Sequence, residues 1–173
     1  MKIQSKLFLA ISFLLITTFS FSQEKFENEK LALVNDIFHN TTRENIVSYM
    51  ENKHFDTDKV EKTEYLKSGV AIEEELVFSF YLENEGELEK IEILYGKNKK
   101  IVEVTYDFYG AANTSLIEKE LKDKKYKSKI DNFEILGSTV THYIWRKSRN
   151  KNSFRTYFSD SNNTGELTYG IIE

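Results

Sequence analysis

The chain has 173 residues, with 24 basic and 28 acidic side chains, no cysteine and no proline. Packing alone must hold the fold, because no disulfide, thiolate metal site or thiol nucleophile is available. The formal charge of −4 supplies no domain-wide basic excess to neutralise phosphates, which argues against a nucleic-acid partner.

Residues 1 to 22 read as a secretory signal peptide. Lys2 and Lys6 precede the apolar stretch Leu7 to Ile16, and Ser20 and Ser22 fill the small-residue positions of a cleavage site before Gln23. A membrane span wants about 18 or more apolar residues, and Ser12, Thr17 and Thr18 interrupt this run. The expectation is an exported chain, periplasmic or secreted, that begins at Gln23 and forms one α+β domain over 23–173. Without Lys2 and Lys6 it carries 22 basic and 28 acidic residues, net −6.

Phe26, Leu31, Val34 and Phe38 fall near helical spacing over 24–40, and Thr41 with Glu44 has the form of a capping box opening a second helix towards His54. The two predict a helical hairpin. Residues 55–68 are charged and aperiodic, a connection with room for a short edge strand. Val70, Ile72, Leu76, Phe78, Phe80 and Leu82 then share one parity, broken only by Glu74, which predicts a long amphipathic strand. A bulge or a late strand start at Glu74 explains the exception better than a buried acid.

Strands near 88–95 and 102–108 follow, with Val104, Tyr106 and Phe108 joining Phe78 and Phe80 in one core. Ser115 and Glu118 suggest a capped short helix ending near Lys125, and four further strands are expected over 129–136, 139–146, 154–159 and 167–172. This order predicts an α+β fold, with a helical hairpin and one further short helix packed on a largely antiparallel, meander-type sheet of about six or seven strands.

The candidate chemistry is sparse. His39, His54 and His142 form no motif, and His39 suits the carbonyl end of its helix. His54, Asp56 and Asp58 alternate as metal ligands do in extended chain, and Asp160 to Gly165 resembles the start of a calcium loop but has Ile171 where a bidentate Glu belongs. Solvated turns account for both, so neither a metal nor a cofactor is expected. No phosphate loop, nucleophile elbow or HExxH helix occurs.

One surface stands out. If Val140, His142 and Ile144 face inward, Tyr143 and Trp145 face outward, with Arg155 and Tyr157 beside them on the next strand. Tyr143, Trp145, Arg155 and Tyr157 then form an aromatic and basic ledge suited to a peptide, a protein or a saccharide. The alternative is that helices cover this face and the aromatics are core. The functional expectation is a non-enzymatic binding module. The alternatives are an inhibitor or immunity-type protein that neutralises a protein partner, and a hydrolase with a carboxylate site.

Overall fold

The computed structural model describes residues 24–61, 64–67, 69–82, 87–135, 138–148 and 150–170. Residues 1–22, expected from the sequence to be a signal peptide, lie outside the described residues. None of the described helices is long and apolar enough to cross a membrane.

The architecture is α+β. Helix α1 (Glu29–Asn40) and the short α2 (Ile46–Glu51) lead into strands β1 (Asp56–Glu61), β2 (Tyr65–Lys67), β3 (Val70–Ile72), β4 (Glu74–Leu82), β5 (Glu87–Gly96) and β6 (Lys100–Tyr109). Helix α3 (Ala111–Asp123) follows, then β7 (Lys127–Ile135), β8 (Ser138–Arg146), β9 (Ser153–Ser159) and β10 (Thr164–Gly170). Eight strands form one sheet in the order β1-β4-β5-β6-β10-β9-β8-β7, and β2 with β3 makes a separate two-stranded ribbon. Every pairing in the large sheet is antiparallel. Two meanders, β4-β5-β6 and β7-β8-β9-β10, are joined down the middle by the β6–β10 pair.

Helices α1 and α3 pack on the same face of this sheet. Strand alternation delivers the core to that face: Leu76 and Phe78 from β4, Ile91 and Ile93 from β5, Val104, Tyr106 and Phe108 from β6, Leu167 and Tyr169 from β10. Leu31, Val34 and Ile37 of α1 and Ile117 and Leu121 of α3 close it from above. Phe80 is only partly buried against this core. At Gly165 an added Cβ would lie 2.4 Å from the Phe108 ring and 2.6 Å from Thr114 Oγ1, so α3 can seat on the sheet only where β10 lacks a side chain.

The details depart from the sequence reading in several places, among them the third helix, which starts at Ala111 after Gly110 and has no side-chain cap where the sequence predicts one from Ser115 and Glu118. The helical hairpin is shorter than its apolar pattern. Asn28 caps α1, its Oδ1 accepting from the Lys30 and Leu31 N–H groups, and Asn45 Oδ1, not a Thr41–Glu44 box, holds the turn before α2 by accepting from the Thr42 N–H. The long strand expected over 70–82 breaks at Glu73, whose N–H donates to the Tyr95 carbonyl. Residues 70–72 thereby leave for the ribbon, and β4 starts at Glu74. Arg43 holds the Glu74 carboxylate through Nε and a terminal nitrogen at 2.7 and 2.8 Å. Lastly, the aperiodic 55–68 segment supplies an edge strand, β1, so the large sheet has eight strands and not six or seven.

Candidate functional site

The expected ledge of four residues does not form. Tyr143 lies opposite Thr156 and Trp145 opposite Phe154 across the β8–β9 pair, which puts both aromatics on the helix-covered face. Trp145 is 1% exposed. Its indole N–H donates to Thr156 Oγ1 at 3.0 Å, Thr156 donates to Glu118 of α3 at 2.9 Å, and the Lys122 ammonium lies over the ring. The physical reason is the cover supplied by α3, which buries the aromatic parity and satisfies the indole N–H from within. His142 and Ile144 take the opposite face together with Arg155 and Tyr157, where the His142 ring packs at a tilt with its centroid 4.9 Å from that of Tyr157.

That opposite, helix-free face carries a row of titratable side chains running across the strands. Lys90 lies opposite Asp107, Asp107 opposite Glu166, and Glu166 opposite Tyr157. His142 follows, packed on Tyr157 and itself opposite Asp131. Beside the row, Arg155 donates to Glu166 at 3.1 Å and to Thr168 at 3.4 Å, and Thr168 is fully buried against Thr105. Burial, reinforced by Glu166 and Glu92, pushes the Asp107 carboxyl up to about 6. Burial and the nearby Arg155 hold the His142 imidazole below its ordinary value. The β2–β3 ribbon folds over the same face further along, where Lys67 pairs with the buried Glu103.

A concavity lies elsewhere, between α1, the α2 end and the ends of β4, β5 and β6. It is a cleft of about 860 Å³ whose lining includes Lys30, Leu33, Tyr49, Lys53, Phe55, Phe80, Glu89 and Tyr106. Each wall comes from a separate stretch of chain. Helix α1 presents Lys30 and Leu33 at a spacing of three, the chain leaving α2 presents Phe55, and strand alternation places Glu89 directly opposite Phe80. Phe55 packs 5.5 Å from Phe80 and 6.2 Å from Tyr106, giving an aromatic wall.

Glu89 sits on the core-facing side of β5 and is 6% exposed. Lys30 Nζ donates to its Oε1 at 2.9 Å, the Tyr106 hydroxyl donates to its Oε2, and the ammonium lies 4.7 Å from the Tyr106 ring centroid. Burial and the adjacent carboxylate hold the Tyr106 hydroxyl well above the usual phenol range. Higher on the cleft, Tyr49 donates to Asp36 Oδ2 at 2.5 Å and is likewise raised, first by burial and then by Asp36. Both hydroxyls therefore stay protonated and donate. The arrangement presents a fixed polar cluster beneath an aromatic wall.

The remaining sequence candidates resolve into structure. His39 Nε2 lies 3.2 Å from the Tyr169 hydroxyl, and partial desolvation holds its pKa below the ordinary imidazole value, which disfavours a charge at the helix end. Asp160 to Asn163 form the β9–β10 turn, with Asn163 at φ 54. Among the described residues no three His, Asp or Glu side chains come together in a way that would hold a metal ion. No family model, curated protein or solved structure matches the chain.

The cleft escaped the sequence reading. Its one signal was Glu89, an acid sharing the apolar parity of Ile91 and Ile93.

Proposed function

We propose that the chain is an exported, non-enzymatic binding module whose ligand is a small amphiphile seated in the cleft between α1, α2 and the sheet. The observation that carries this reading is the Lys30–Glu89–Tyr106 cluster at the cleft. A buried ion pair adds little to stability over apolar residues of the same volume, because desolvation offsets its attraction. Its place is at a concave surface of ligand size, under Phe55 and Phe80, where a few fixed polar groups among aromatic walls orient a bound molecule. Glu89 already accepts from both Lys30 and Tyr106, and the Tyr106 proton is held tightly, so the cluster suits recognition better than proton transfer. Export rests on Lys2, Lys6, the Leu7 to Ile16 stretch and the Ser20 and Ser22 positions.

Titration with anilinonaphthalene sulfonate, an amphiphilic aromatic probe that brightens in apolar surroundings, tests the reading. One saturable site is expected in the folded protein, and Leu33→Glu, which places an acid on the apolar wall of α1, is expected to remove it, with a retained cooperative melt showing that the variant still folds. No saturable binding, or equal binding by the variant, refutes the cleft as the site.

A second reading has one observation in its favour. Asp107, raised towards neutrality, stands opposite Glu166, which Arg155 fixes, and two carboxyl groups in unequal surroundings are the equipment of a carboxylate hydrolase. Turnover of nitrophenyl glycosides by the wild type, lost in both Asp107→Asn and Glu166→Gln, would support it. No turnover, or turnover that survives in either variant, counts against it.

A further inference from the structure

Strand β7 is the last strand of the eight-stranded sheet. Its inner edge pairs with β8 through nine residue positions, and among the described residues no strand pairs with its outer edge. Residues 127–132 are all exposed, and Ile130, in the middle of the strand, leaves 56% of its surface in water. A long open edge of this kind is a template for another strand, and isolated charges along it normally discourage such pairing. Over residues 127–132 the charges are Lys127, Lys129 and Asp131, and they share the helix-free face, whereas Ile130 points to the helix face with its neighbour Tyr143.

We propose that β7 pairs with β7 of a second copy of this chain, antiparallel and centred on Ile130, so that the two sheets continue into one. The choice of partner follows from charge complementarity. A two-fold antiparallel pair centred on a residue places side chains of the same face opposite one another, which keeps both helix layers on one side. Centring on Lys129 sets Lys129 against its own copy, and centring on Asp131 does the same with two carboxylates. Centring on Ile130 puts Lys129 of each copy opposite Asp131 of the other, twice by symmetry, with Ser128 opposite Asn132. It also places Ile130 against Ile130, covering the apolar side chain that the single copy leaves exposed. Cross-strand pairs of opposite charge and of aliphatic side chains stabilise an antiparallel ladder, and like charges oppose it.

The test is a charge swap read by sedimentation equilibrium, on protein purified from expression of the full chain. The wild type is expected to dimerise. Lys129→Asp alone sets acids against Asp131, and Asp131→Lys alone sets lysines against Lys129, so each is expected to weaken self-association about tenfold or more. An equimolar mixture of the two single variants restores both opposite-charge pairs and is expected to form a heterodimer, and the double swap a homodimer. Both substitutions lie on exposed positions, and an unchanged circular dichroism melt confirms that each variant folds. A wild type that stays monomeric, single variants that dimerise as well as the wild type, or a mixture that stays monomeric each overturns the proposal. Because no residue of β7 lines the cleft, the result is independent of ligand binding there.

Discussion

Asp107 on β6 lies directly opposite Glu166 on β10, carboxylate facing carboxylate across the central seam of the sheet. Arg155 bonds Glu166, whereas the Asp107 carboxyl is pushed up to about 6 by burial first and by the acids Glu166 and Glu92 next, with Lys90 acting the other way. An unfolded aspartate titrates at about 4. Between these two values the folded state binds more protons than the unfolded state, so this group's contribution to stability falls as pH rises through the window. Asp107→Asn is expected to match the wild type near pH 4 and to exceed it by about 1–2 kcal/mol near pH 8. Paired denaturant melts across that range check it, and a wild-type-to-variant difference independent of pH would sink it.

Trp145 is the sole tryptophan, buried under α3 with its N–H bonded to Thr156. Its fluorescence is expected to be blue-shifted and poorly quenched by acrylamide in the native protein. Thr156→Val leaves the indole donor without that acceptor and is expected to cost about 1–3 kcal/mol. Native emission near that of free tryptophan would contradict the burial.

Gly165→Ala forces a Cβ into the Phe108 ring and the Thr114 hydroxyl at once. Overpacking of this kind is expected to cost about 1–3 kcal/mol, read as a lowered thermal midpoint. An unchanged midpoint would mean that α3 sits further from β10.

Lys30→Met removes one partner of a buried carboxylate and leaves the other, at a cost of about 3 kcal/mol. The double change Lys30→Met with Glu89→Leu removes both charges and is expected to recover most of that stability while losing the probe site. If the double variant binds anilinonaphthalene sulfonate as the wild type does, the cluster serves packing and not recognition.

Much of the fold was legible in side-chain parity. Phe78, Val104, Tyr106 and Phe108 share the core their alternation implies, because one face of each strand is buried and a slip by one residue would expose it. What parity does not carry is which of two mixed faces the helices cover. His142 with Ile144 and Tyr143 with Trp145 each offer a face with an apolar member and a hydrogen-bonding ring, and only the register with Phe154 and Thr156 decides between them. The break at Glu73 depends on the Tyr95 carbonyl, more than twenty residues away, and so leaves no local trace. The cleft draws on residues near 30, 55, 80, 89 and 106, and the Lys90-to-Asp131 row on six strands. Neither is a pattern along the chain; both exist only once the strands are in register.

The β6–β10 seam also bears on when this protein can fold. Residues 100–109 wait in the middle of the sheet for residues 164–170, so the three strands β4, β5 and β6 keep an open edge until the last described strand has been made. Contacts this distant in sequence form slowly, because the loop between them must close before pairing offsets its entropy. An emerging chain therefore passes through most of its synthesis with its centre unmade, a condition in which it can still be threaded through a narrow pore or held by a chaperone.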